Sequence, residues 1–429
     1  MLRRPMFFAT SLFSFLSFLR RAVFYAFFYI YLRVFLGLSN TLTALLGTMN
    51  LLTSTIGQLV IWGPRLNRDP RSSKKFVVRG EVGAALVYLI AFLGHRVLID
   101  LGSSISAALF LVAIFSLLEL LWSGSDLGIR IIQGEVTQGI ARGKLTGIID
   151  GMGLAGQIFG FLLSGILYEA GQGFYNGVIF YIVVLLILSC AIIIQITPIS
   201  LTTSKKSDQA EEIQSLLEGT AISDVLRVPS FAGFIGILAA LIIGLFASRQ
   251  IFLFYATLRP SLGLTDQEIS ILLVTFSFWG GIFTPIGGKM SDRFGRIEIM
   301  TIASVIASCC FLMLFILESP DFLVVGVFYS ILGISTALIQ TLAFAFTADI
   351  LPPDLQGTGF SLYNITLGIG WGMAGFFVGG PIADSLILFG TPTVLAYRTV
   401  LLISAIIMMF GALALLIFRL LKISIVQKR

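Results

Sequence analysis

The sequence predicts an all-α membrane protein of twelve transmembrane helices in two pseudo-symmetric six-helix halves. Three observations carry this expectation. Of the 429 residues, 57% are hydrophobic and only 12% are charged, about half the roughly 25% charged content of ordinary globular domains. Apolar runs near the ~20 residues needed to cross a bilayer recur along the whole chain. The chain also repeats itself: FYIYLRVFLGLS at 28–39 and FYATLRPSLGLT at 254–265 share seven of twelve positions. A second echo pairs Glu135 and Gly143 with Asp349 and Gly357, then Gly156 with Gly370 and Gly165 with Gly379.

Backbone polar groups must be satisfied within each segment in lipid, so the apolar runs are helices. They are expected at 6–36, 41–63, 79–99, 104–130, 145–168, 175–197, 229–257, 266–289, 297–317, 321–347, 358–382 and 394–419. The first run follows Met1-Leu-Arg-Arg and no small-residue cleavage site ends it, so a retained helix is expected and not a removed leader. The halves then cover 1–197 and 229–429. Between them, 198–228 is the one stretch resembling soluble protein. Its DQAEEIQSLL core has the pattern of a short amphipathic helix, and the whole reads as a linker.

Most of the 28 Lys and Arg fall in the turns that share a side with the termini, whereas the opposite side carries only Arg33, Arg96, Arg259 and Arg398. The positive-inside rule then places both termini in the cytoplasm of a cell (plasma) membrane protein. The net charge of +6 is therefore topological. No basic stretch is interleaved with aromatics outside the apolar runs, so no nucleic-acid partner is expected. The partners expected are the lipid bilayer and a small-molecule substrate, and the chain is expected to be a monomer.

The turn after the eighth helix carries a family signature. Gly288-Lys-Met-Ser-Asp292-Arg293-Phe-Gly295-Arg296 resembles the G-x3-D-R-x-G-R loop of the major facilitator superfamily. A worn copy stands at the equivalent turn of the first half, Gly63-Pro-Arg-Leu-Asn67-Arg68-Asp69-Pro70-Arg71, with Asn67 where the family has Asp and Pro70 where it has Gly. The resemblance covers essentially the whole chain. It implies alternating-access transport of a small solute with proton coupling. It also implies that the loop is part of a gate, for which Gly288, Asp292, Arg293, Gly295, Arg296, Arg68 and Asp126 are the candidates. Physically, Gly295 can adopt a left-handed backbone, and Asp292 can accept from free amides at a helix N-terminus.

Charges deep in membrane helices are costly and mark pathways by default. Arg20 and Arg21 lie near the middle of the first helix, and Arg249 about one turn further out on the seventh. The family places these two helices against the central cavity, so the arginines suit an anionic substrate, because Arg presents a fork of donors to planar or tetrahedral oxyanions. Arg20 and Arg21 point about 100° apart, so one of the two faces a given cavity and the other pairs within its half. Tyr29, Tyr255 and Gln340 complete the candidate substrate-binding set. Phe24, Tyr25, Phe28 and Phe252 line an apolar cavity or face lipid. Glu119, Asp126 and Arg130 share one face of the fourth helix. Glu119 is the candidate for proton coupling or for neutralising a helix 1 arginine. Asp126 is expected to pair with Arg130 or Arg68.

Glycines recur along the fifth and eleventh helices at spacings that permit close packing. The fifth-helix run is similar to the glycine motif of proton-linked exporters, with Phe161 where those have Pro. The three cysteines, Cys190, Cys309 and Cys310, sit in apolar runs and suit packing. The lone His95 has no metal-site companion, and no Walker-type phosphate loop is present. No enzyme, cofactor or metal chemistry is expected. Two substrate readings stay open: a small anion, or amphiphilic compounds handled by a broadly specific exporter.

Overall fold

The computed structural model describes residues 3–137, 142–198, 220–259, 261–318, 320–352 and 355–426. Eleven helices among them are long and apolar enough to cross a membrane, and one pair bent by 42° makes a twelfth span. They are α1 (Arg4–Phe35), α2 (Asn40–Leu66), α3 (Ser73–Asp100), α4 (Ser104–Val136), α5 (Leu145–Ala170) and α6 (Val178–Ile196). Then follow α7 (Pro229–Thr257), α8 (Asp266–Phe294), α9 (Arg296–Ile316), α10 (Phe322–Ile350), α11 (Thr358–Met373 with Gly375–Leu388) and α12 (Thr393–Leu421).

Every expected apolar run coincides with one span, and several helices continue past the run. The helix of α3 begins at Ser73, six residues before the expected 79. Lys74, Lys75 and Arg79 extend it with charge that suits water and not lipid. The DQAEEIQSLL segment, together with the rest of 199–219, lies outside the described residues.

The glycines of the first repeat occupy equivalent turns. Gly37 follows α1 with φ 76° and Gly263 follows α7 with φ 54°, a region in which only glycine is unstrained.

Contacts divide the chain into two compact units. The first comprises Met1–Leu38, Thr48–Ala210 and Asp266–Val274. Here α1 packs on α5 and α6, and α3 packs on α4 and α6. A Cβ on Gly156 would meet the Phe15 carbonyl and one on Gly160 the Leu19 carbonyl, so α5 lies on α1 at backbone distance. Gly165 approaches the first turn of α8, where a Cβ would stand 2.8 Å from the Asp266 carbonyl oxygen. The Phe24 ring is fully buried and touches the rings of Phe28, Tyr88, Phe115, Phe174 and Phe180. Phe24 and Phe28 therefore neither line a cavity nor face lipid: they form the aromatic core of this unit.

The second unit comprises Ser39–Gly47, Glu211–Thr265 and Thr275–Arg429. In it α7 packs on α11 and α12, and α9 packs on α10 and α12. Gly370 and Gly379 bring α11 onto α7, where added Cβ atoms would meet Ile242 and the Ala247 carbonyl. Gly156 and Gly370, paired by the second repeat, thus admit the close neighbour helix in each unit. π-helical turns interrupt α11 at Ile369–Met373 and Gly375–Gly379, where the glycine-rich backbone tolerates them.

Candidate functional site

In the first unit small residues on α4 determine where charge is buried. Ser123, Gly124, Ser125 and Gly128 leave room for α3 and α2, and a Cβ on Gly80 would stand 3.0 Å from Ser125 Cβ. This approach brings Glu81 of α3, Ser125 of α4 and Arg20 of α1 together. Arg20 Nη1 donates to Glu81 Oε2, Arg20 Nη2 donates to Oε1 at 3.1 Å, and Ser125 Oγ donates to the same oxygen at 2.7 Å. Both charged side chains are wholly enclosed. The Arg20 guanidinium also lies 4.8 Å from the Trp122 ring centroid. Arg20 is therefore committed within its unit, and its expected role at a substrate gives way to a buried ion pair. Glu81, which the sequence reading passed over, is its partner.

Arg21 takes the other side of Trp122, 5.5 Å from the ring. Its Nη2 donates to both oxygens of Asp126 at 2.9 and 2.8 Å. This pair retains 32% and 25% side-chain exposure, so water or a solute can compete for it as they cannot for Arg20–Glu81. Asp126 was expected to pair with Arg130 or Arg68 and Glu119 to stand with a helix 1 arginine. Instead Asp126 holds Arg21, and Arg130 is exposed. The side chains of Asn67 and Arg68 lie outside the described residues. Glu119, half-buried and beside Tyr25 within electrostatic reach of Arg21 and Asp126, has no salt bridge among the described residues.

In the second unit α7 breaks in mid-span: one helical segment ends at Ala247 and the next runs Arg249–Thr257, with Ser248 between. Arg249 opens the second segment. Its guanidinium lies 5.5 Å from the Phe246 ring and 5.8 Å from the Phe276 ring, distances at which a ring face attracts a cation. No carboxylate pairs with it among the described residues. Arg249 borders a pocket walled by Phe246, Phe252, Phe276, Phe311 and Tyr329. Its volume is ≈ 20 Å³ counted by water centres, room for one or two waters. Ser248, fully buried, reaches the pocket with a hydroxyl that has no hydrogen-bond partner. Of the other candidates, Tyr255 is buried with an unpartnered hydroxyl. Tyr29 and Gln340 are half-buried, and the Gln340 backbone carbonyl accepts from Tyr363 at 2.8 Å.

The signature loop lies between α8 and α9. Gly295 has φ 98°, and a Cβ there would collide with the Glu298 carboxylate. Arg296 pairs with Asp349 at 3.0 Å, and Arg293 covers the Phe294 ring at 5.4 Å. Gly288 has open space beside it. Asp292 is exposed and caps no helix among the described residues. The carboxylate that does cap one is Asp384, at the far end of α11. It accepts from the Asn40 and Thr41 backbone N–H groups at 3.1 and 2.8 Å, from Asn40 Nδ2 at 2.7 Å and from Thr41 Oγ1 at 2.6 Å. Tyr397 fixes Asn40 from the other side, donating to its Oδ1 at 2.9 Å.

Comparison with known proteins agrees with this architecture. The profile of the Major Facilitator Superfamily matches residues 10–375 and again 245–427. An uncharacterized MFS-type transporter of Bacillus subtilis (strain 168), YfkF, is 29% identical over 109 residues, which is 25% of this chain and 27% of that protein. Among solved structures, the nucleoside transporter NupG superposes with a TM-score of 0.77 at 15% identity, over 96% of this chain and 99% of the other. A bacterial homolog of the human lysosomal transporter Spinster gives 0.71 at 13% identity, over 97% of each chain. A D-xylose–proton symporter gives 0.63 at 16% identity, over 95% of this chain and 97% of the other. These structures share the fold. The chain belongs to the major facilitator superfamily: it is a multi-pass membrane transporter and not an enzyme.

Proposed function

We propose that this transporter is secondary active and proton-coupled, working by alternating access between six-helix halves at 1–197 and 229–429 joined by 198–228. Its solute carries an anionic group held at Arg249, and Glu119 carries the coupling proton. The protein acts as a monomer in the plasma membrane with both termini in the cytoplasm. One observation carries the anion reading: Arg249 is a membrane-interior cation facing a pocket with no carboxylate to neutralise it. An unpaired charge at that depth costs about 2.5–3.5 kcal/mol on insertion scales, and an anion is what would offset it. Glu119 is the complementary case, a half-buried carboxyl whose neighbouring arginine is already engaged by Asp126. Proton coupling is in keeping with the D-xylose–proton symporter among the similar folds. A second reading, export of amphiphilic compounds, draws on the five aromatic walls of the pocket.

Flux into proteoliposomes under an imposed pH gradient tests the proposal. Uptake of a small carboxylate should follow the gradient in the wild type. Glu119→Gln should lose that dependence while still exchanging solute across the membrane at equal pH. Arg249→Lys should impair anion transport despite conserving charge, since an ammonium cannot reproduce the guanidinium fork. Undiminished anion flux in Arg249→Ala would remove the anion site and favour the amphiphile exporter.

A further inference from the structure

We infer that the pocket at the break in α7 is a carboxylate subsite for an amphiphilic monoanion, an aromatic or aliphatic carboxylate whose apolar body continues along the ring-lined wall. The inference rests on the proposed anion reading of Arg249 and adds the class of solute. The pocket is donor-rich and acceptor-poor. Arg249 contributes a two-pronged cation, and none of the lining residues is acidic. The segment Arg249–Thr257 is nine residues long. Its first backbone N–H groups lack intrahelical acceptors, and its N-terminal dipole favours negative charge.

Ser248 supplies the independent indication of a ligand. Its Oγ is fully buried, unpartnered and at the pocket surface, and a buried hydroxyl is rarely left so. A carboxylate oxygen would satisfy it while the second oxygen took the guanidinium. This planar, bidentate match is the geometry Arg favours.

The same residues exclude other classes. A phosphate dianion would bring one charge more than the single guanidinium can balance. A sugar or nucleoside needs several paired donors and acceptors, and a site without them rejects such a solute because its polar groups would be buried unpaired. Here Thr336 is already spent, its hydroxyl donating to the Leu332 carbonyl at 2.7 Å. The remaining wall is aromatic and fixed: Phe252 stacks on Tyr329 at 4.8 Å and 16°, and Phe276 meets Tyr329 at 5.1 Å. At ≈ 20 Å³ by water centres the pocket admits a head group alone. The body of the solute must therefore lie along apolar surface outside it.

Binding to the purified full-length protein in lipid nanodiscs, measured by calorimetry and by ligand-induced thermal shift, tests this. The probes are benzoate, octanoate, acetate, benzyl alcohol, inorganic phosphate and xylose. Benzoate and octanoate should bind the wild type at least about tenfold more tightly than acetate, since each carries several additional apolar carbons. Benzyl alcohol, phosphate and xylose should not bind measurably. Ser248→Ala should weaken benzoate roughly three- to tenfold, the worth of one hydrogen bond, and Arg249→Lys by more.

If acetate or phosphate binds in an Arg249-dependent way and benzoate binds no better, the amphiphile class falls while the anion reading stands. If no anion binding depends on Arg249, both fall. Unchanged benzoate affinity in Ser248→Ala would overturn the subsite at the break. The wild-type comparison of benzoate with benzyl alcohol decides the charge requirement without any variant: equal affinity overturns the inference.

Discussion

Removing the Glu81 carboxylate should unfold the first unit far more readily than it affects solute recognition. Arg20 and Glu81 are both fully enclosed. The carboxylate takes both ends of the guanidinium and the Ser125 hydroxyl, so no water stands ready to replace it. In Glu81→Ala the guanidinium stays buried with only the Ser17 hydroxyl, 3.4 Å from Nη2, and the Trp122 ring for company. Breaking a buried pair from one side costs about 3–5 kcal/mol, which lowers the folded-to-unfolded ratio by roughly two to three and a half orders of magnitude. Arg20→Ala should cost a similar amount, because it leaves the carboxylate stranded. The double variant Arg20→Met/Glu81→Leu should recover most of the loss, since apolar residues of similar volume have no charge to strand.

Equilibrium unfolding of the purified protein, with transport per folded molecule measured in parallel, separates the possibilities. The expected result is a large coupling energy in the double-mutant cycle and near-normal specific transport in the double variant. Refutation would be an Arg20→Ala protein that unfolds like the wild type yet fails to transport. Arg20 would then belong to the solute path after all.

Two other outcomes follow from the helix contacts. Asp384→Asn should loosen the start of α2, because the amide cannot accept four donors; a lost cap costs about 0.5–2 kcal/mol, so exchange of the amides near Asn40–Leu46 should accelerate roughly two- to thirtyfold, and unchanged protection would show that Tyr397 alone holds Asn40. Gly156→Ala should reduce stability and expression, since its Cβ meets the Phe15 carbonyl, whereas Gly151→Ala enters open space and should be neutral or stabilising by about 0.5–1 kcal/mol; similar melting temperatures for the two would contradict the close-packing account.

The architecture was legible in the sequence because lipid leaves the chain few choices. Apolar runs set the spans, and the repeat at 28–39 and 254–265 marked turns that Gly37 and Gly263 make with positive φ. The charge pairs were less legible, because they depend on where a helix starts and on which helices approach. Glu81 stood near the expected start of the third helix and read as surface. With the helix beginning at Ser73, Glu81 lies eight residues in, about 12 Å along the axis, where it meets Arg20. Asp384 fell just beyond the expected end of the eleventh helix at 382 and read as loop. Its signal was present in the Ser39-Asn40-Thr41 sequence opposite, a helix start rich in capping residues. The pairing of Arg21 with Asp126 and not Glu119 is a matter of which carboxylate comes within reach between α1 and α4, and spacing along α4 puts both on one face.

The charges left over after pairing separate structure from transport. Arg20 with Glu81 and Arg21 with Asp126 are each closed within the first unit. Glu119 there and Arg249 in the second unit remain without an opposite charge in salt-bridge range. Neither is required by packing: a leucine or glutamine of similar size would fill either place without the insertion cost of about 2.5–3.5 kcal/mol for a central charge. The surroundings of Arg249 compound that cost, since the same short stretch also buries an unpartnered Ser248 hydroxyl and interrupts α7. Three independent departures from a well-satisfied helix, at one pocket, all present donors. A carboxyl in one unit and a cluster of donors in the other are complementary to a proton and an anion. A proton and a monoanion carried together move no net charge, so the two unpaired groups fit an electroneutral pair of cargoes.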